Sequence, residues 1–230
     1  MLLQIVNDTL AANMAAVVEE PVQESINLWT MAQYGGWIMI VLAILLAWAC
    51  FLFIERLVTL KNAMMEDRNF MNRIKDYIHE GKMDSAVNLC KETNTPSSLM
   101  IEKGISRIGR PMQDVQVAVE NVGNLEVAKL EKGMVILATI AAGAPMLGFL
   151  GTVLGMVQTF FNMAQSASGV IEISALSEGM YQAMVTTVGG LIVGILSMFA
   201  YNFLVSRVDR VVRQLESRTL EFMDLLNEPV

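Results

Sequence analysis

Three long runs without a charged side chain alternate with charged stretches along this chain, and that alternation predicts its architecture. The runs lie at 35–54, at 133–161 and at 178–206, where nothing after Glu178 is charged until Arg207. A helix rising about 1.5 Å per residue crosses roughly 30 Å of hydrocarbon in about 20 residues, so each run has the length of a transmembrane helix. In the stretch 55–132, Phe70, Ile74, Tyr77 and Ile78, then Ala86, Leu89 and Cys90, then Ile101, Ile105 and Ile108 recur at helical spacing. Gly81, Asn94-Thr95-Pro96 and Gly109-Arg110-Pro111 punctuate these segments. From Met112 the pattern Val115, Val119, Val122 continues with no proline before Pro145, which predicts one unbroken helix entering the second span. Val208, Val211, Leu215, Phe222 and Leu225 likewise carry the third helix past the membrane boundary through the tail, 207–230. Two such helices of about 45–50 residues would each reach roughly 70 Å. The predicted fold is an all-α integral membrane protein with three transmembrane helices, the second and third extended into a cytoplasmic helical bundle.

Composition and charge set the class and the orientation. Over 230 residues the chain is 54% hydrophobic and 17% charged, less charge than a soluble domain carries. A net charge of −7 and the lack of a basic, aromatic-laced stripe exclude nucleic acid as a partner. Of the sixteen Lys and Arg, twelve lie between Arg56 and Lys132 and four between Arg207 and Arg218. Positive charge stays inside, so the amino-terminal segment 1–34 and the linker 162–177 are expected outside, the loop and the tail in the cytoplasm. Residues 1–34 lack the basic start of a secretory signal; Leu2, Leu3, Ile5, Val6 and Leu10 suit a short amphipathic helix on the membrane surface. Trp29, Tyr34 and Trp37 are interfacial aromatics at the start of the first span. Cys50 and Cys90 read as free thiols and His79 as a solvated surface residue. With no metal-ligand spacing, no Ser-His or Cys-His set and no phosphate loop, neither metal, cofactor nor catalysis is expected.

The candidate chemistry lies inside the spans. Glu178, Gln182 and Thr186 stand four residues apart on one helical face, with Thr187 beside them. Lipid offers such a stripe no hydrogen-bond partner, so it must face protein or water. In the second span, Gly148 and Thr152, and Gly151 and Gly155, are small residues at the spacing that lets helix backbones approach, while Pro145 frees the carbonyl of Ala141. Thr152 and Thr159 share a face with Gly148 and Gly155. Tight packing explains the glycines; a polar path shared by Thr152 and Thr159 with Gln182, Thr186 and Thr187 is the functional alternative. Two readings of Glu178 stand: a carboxylate in the first turn of a helix, complementing its dipole, or part of an ion path.

The blocks GAPMLGFLGTVLGMVQTF and QAMVTTVGGLIVGI followed by YN resemble the ExbB/TolQ/MotA proton-channel family, its ExbB branch most closely. The resemblance covers the second and third spans. It implies a homopentameric ring in the bacterial inner membrane, surrounding a dimer of an ExbD-like single-span protein whose membrane aspartate handles protons. Movement of that pair is passed to a TonB-like protein that drives outer-membrane import. By motif position, Thr152 and Thr187 match the pore-facing threonines of the family, and Gln182 stands where the family has a membrane glutamate. Glutamine carries no proton, so Glu178, one turn earlier, or the partner's aspartate must serve instead. The resemblance implies equally a TolQ-like or other stator of the family; a non-conducting membrane scaffold is the reading from a different class.

Overall fold

An unbroken apolar sequence makes the first element a single helix, α1 (Gly36–Ala63), which continues beyond Ile54 through Glu55, Arg56 and Lys61. The structure is a computed structural model and describes residues 35–65, 67, 69–165 and 173–227. The expected surface helix at 1–34 and the middle of the linker lie outside the described residues. Short helices follow: α2 (Phe70–His79), α3 (Met83–Thr93) and α4 (Pro96–Ile105). Then come α5 (Met112–Glu131), α6 (Met134–Gln165) and α7 (Ile173–Asn227). There is no strand among the described residues, and the apolar stretches of α1, α6 and α7 are long enough to cross a membrane. The chain is an all-α, multi-pass membrane protein.

The polar cluster 94–96 shows how the sequence ends one helix and begins the next. Asn94 adopts φ 44°, the left-handed cap of α3, a conformation asparagine tolerates better than most residues. Thr95 and Ser98 then close a reciprocal box: Ser98 Oγ accepts from Thr95 N at 2.9 Å and Thr95 Oγ1 from Ser98 N at 3.4 Å. Pro96 occupies the first turn of α4, where its missing N–H costs nothing.

One expectation fails at the boundary. The helix predicted to run unbroken from Met112 into the second span is divided at Lys132 and Gly133. Lys132 is extended (φ −55°, ψ 129°) and Gly133 takes φ +86°, which disfavours any residue with a Cβ. Absence of proline was the wrong test, because a glycine in the left-handed region ends a helix as well. The exposed end of α5 is capped from another helix: Arg56 Nη1 of α1 donates to the Lys129 carbonyl at 3.3 Å.

The longest helix, α7, is the spine. Its most apolar stretch is 39% buried within the chain against 17% for α1. In the membrane part it packs on α6 and α1, and beyond that on α5 and α4. At the basic end Val208, Val211, Leu215 and Phe222 of α7 share one core with Ile74, Cys90, Ile101 and Val119. Phe222 is fully buried, its ring seated where Gly104 carries no side chain.

Candidate functional site

Helices α6 and α7 run antiparallel, and their contact is a ladder of small residues. A Cβ on Gly148 would meet Thr186 O at 2.9 Å and Gly190 Cα at 3.1 Å; one on Gly190 would meet Ala144 O at 2.6 Å. Those neighbours are backbone atoms with no rotamer to escape into, so the two helices touch main chain to main chain. Gly155 faces Ala183, Gly151 faces Thr186, and Gly194 lies against Pro145 and the carbonyl of Ala141. Backbones this close gain dispersion contacts that bulky side chains would forbid.

The close approach brings hydroxyls of the two helices together. Thr152 Oγ1 and Thr187 Oγ1 are in direct hydrogen-bonding contact across the interface. Thr152 Oγ1 is also within 3.2 Å of Ala183 O and 3.3 Å of Gly148 O, and Thr187 Oγ1 lies 3.3 Å from Gly148 O. Each hydroxyl has one proton, so while one donates to the other, the second donates to a carbonyl, and the direction can reverse by rotation about the C–O bonds. Both residues are half-buried. Thr186 is buried and donates to Ala183 O at 2.7 Å; Thr159 donates to its own Gly155 O at 2.7 Å and fits beside Gly179.

Towards the end remote from the basic residues, a cleft of about 460 Å³ opens between the starts of α1 and α7 and the end of α6. Glu178, Gln182 and Thr186 line it from α7, Gln158 and Thr159 from α6, and Trp37 from α1. Glu178 and Gln182 are exposed. Helix α7 begins at Ile173, so Glu178 stands in its second turn, where the helix dipole has largely decayed; the dipole reading of this carboxylate loses its basis. The predicted residues thus fall into two adjoining groups, the cleft and the Thr152–Thr187 pair, with Thr186 reaching both through the carbonyl of Ala183.

Several participants were not singled out from the sequence. Gly190 and Gly194, four apart, answer the α6 glycines and carry the same small-residue signal. Gln158 and Asn162, also four apart, are joined at 2.9 Å. Gly36 has φ +65°, and a Cβ there would meet Gln182 Nε2 at 2.8 Å, a contact between elements that no local pattern reveals.

A family model described as the MotA/TolQ/ExbB proton channel family matches residues 92–217, more than half of the chain. An ExbB homolog from Methanothermobacter thermautotrophicus is 30% identical over 62% of this chain and 50% of its own length. The biopolymer transport protein ExbB of Aquifex aeolicus is 41% identical over 35% of the chain and 53% of its own length. The chain therefore spans about half the length of these relatives. The Tol-Pal system protein TolQ of Haemophilus influenzae is 27% identical, with 80% of this chain and 83% of the relative aligned.

Proposed function

Because this chain belongs to the MotA/TolQ/ExbB proton channel family, we propose that it is the ring-forming subunit of an ion-driven motor in the bacterial inner membrane. Its amino terminus faces the periplasm and its tail the cytoplasm. It forms a homopentamer around an ExbD-like single-span pair, and a TonB-like protein passes the resulting movement to outer-membrane import. It is not an enzyme. One observation carries the reading: the hydroxyls of Thr152 and Thr187 meet across α6 and α7, beside a cleft carrying Glu178, Gln182 and Thr186.

The chemistry follows from charge. Threonine hydroxyls and a glutamine amide accept and donate hydrogen bonds but neither gain nor lose a proton near neutral pH, so the ion travels as a hydrated proton or on a carboxylate of the partner. Moving one charge through 100 mV supplies about 2.3 kcal/mol, so no intermediate can be held much more tightly than that. Modest hydrogen bonds meet this limit, whereas a fixed cation would trap a carboxylate; no Lys or Arg lies between Gly133 and Val205. Glu178 is an exposed carboxylate in the lining of the cleft.

Thr152→Val and Thr187→Val, each nearly isosteric, are expected to abolish energised import while native mass spectrometry still finds the intact ring with its partner. Retained import in both variants would favour a non-conducting scaffold. The longer TolQ alignment supports a second reading, a Tol-Pal-type stator. Identifying the single-span chain that co-purifies separates the two.

A further inference from the structure

Where α7 leaves the apolar layer at its basic end, one outward stripe has the dimensions of a lipid. Ile192, Leu196, Phe199, Phe203, Arg207 and Arg210 follow at steps of four, three, four, four and three residues, which confines them to an arc of about 80°. The four apolar members are 45%, 53%, 71% and 43% exposed in chain order. From Ile192 to Phe203 the helix rises about 16 Å, half of a hydrocarbon layer of roughly 30 Å. The stripe then turns cationic within one helical turn.

Those cations lack the carboxylate partners that Lys129, Arg218 and Arg56 have. Lys129 is paired with Glu126 at 2.6 Å, Arg218 with Glu221 at 2.7 Å and Arg56 with Glu55 at 2.8 Å. Arg207 instead lies with Cζ 5.1 Å from the Phe203 ring centre, and its Nε is buried with no acceptor among the described residues. Neither Arg207 nor Arg210 has a carboxylate partner among the described residues. Asp209 projects about 120° away from the stripe.

We propose that this stripe binds an anionic phospholipid of the leaflet at the basic side, its phosphate held by Arg207 and Arg210 and an acyl chain lying along Phe203, Phe199, Leu196 and Ile192. A second copy of the chain is the competing occupant, distinguished below by whether the lipid-free oligomer survives in the variants. The proposal needs only that the chain crosses a bilayer and is independent of the motor reading.

The test is native mass spectrometry of the full chain in mild detergent, titrated separately with phosphatidylglycerol, phosphatidylcholine and inorganic phosphate. Phosphatidylglycerol should be retained and phosphatidylcholine not, with phosphate at the same concentration failing to displace the lipid. Each arginine contributes about fivefold in affinity, so Arg207→Gln with Arg210→Gln should weaken retention about 25-fold. Arg207→Lys, which keeps the charge but loses the planar fork, should weaken it less than Arg207→Gln. Arg210→Gln alone changes an exposed position, should leave the helical circular dichroism intact, and decides the matter if the double variant misfolds. Equal retention of both lipids, displacement by phosphate, or undiminished retention in the variants would overturn the proposal. Dissociation of the lipid-free oligomer in the variants would overturn it too, assigning the stripe to contact between copies.

Discussion

A threonine in a membrane helix ordinarily returns its hydroxyl proton to the carbonyl one turn back, and Thr159 does so at 2.7 Å. Thr152 and Thr187 differ because a helix of the opposite direction stands close enough for their hydroxyls to meet. The sequence places Thr152 on a glycine-bearing face and Thr187 beside the polar stripe of the third span, but the contact itself depends on how deeply the backbones interlock. A second residue-scale consequence lies outside the membrane. Burial pushes the Cys90 thiol from its ordinary 9.0 up to about 12. In the unfolded chain this thiol ionises near 9, so above that pH the unfolded state binds fewer protons than the folded one. The stability Cys90 contributes is therefore complete below about pH 9 and is lost progressively as pH rises towards 12. Cys90 is expected to resist maleimide at pH 8 in the folded protein, and Cys90→Ala to flatten the alkaline fall in melting temperature. Rapid labelling without unfolding would contradict the burial.

Among elements, the α6–α7 pair governs the site. Gly190→Val would place a branched side chain where even a Cβ lies 2.6 Å from Ala144 O, and overpacking of that kind costs about 1–3 kcal/mol or more. The expected outcome is a lower melting temperature in detergent and loss of the Thr152–Thr187 contact, measured as reduced cysteine cross-linking between positions 152 and 187; an unchanged yield would show that the helices are not so close. The three apolar spans and the helices between them were legible from charge-free length and from periodicity. So were the breaks at Gly81, Asn94-Thr95-Pro96 and Gly109. The break at Gly133 was missed because a left-handed glycine has no signature beyond its own presence, and its cap comes from Arg56, distant in sequence. Glu178 stands one turn deeper than the first-turn reading requires, because a serine-rich approach hides the helix start at Ile173. The contribution of Gly36 and Trp37 to the cleft was illegible for the same reason as the threonine contact: it arises only when α1 docks.

At the scale of the molecule, one helix of 55 residues, about 80 Å long, joins the polar cleft at one end to the core around Phe222 at the other. A displacement at Thr187 therefore has a continuous covalent path to the bundle beyond the membrane, while α5 and α6 are interrupted at Gly133. On the proposed function, the paired hydroxyls of the last two spans lie on the route of the ion. The most direct measurement is proton flux, driven by an imposed potential, through liposomes containing the purified complex with its single-span partner. Thr187→Val should reduce the flux at least tenfold in complexes of unchanged stoichiometry, and Thr187→Ser, which restores the hydroxyl, should recover most of it. Equal flux through the wild-type and Thr187→Val complexes would contradict the account.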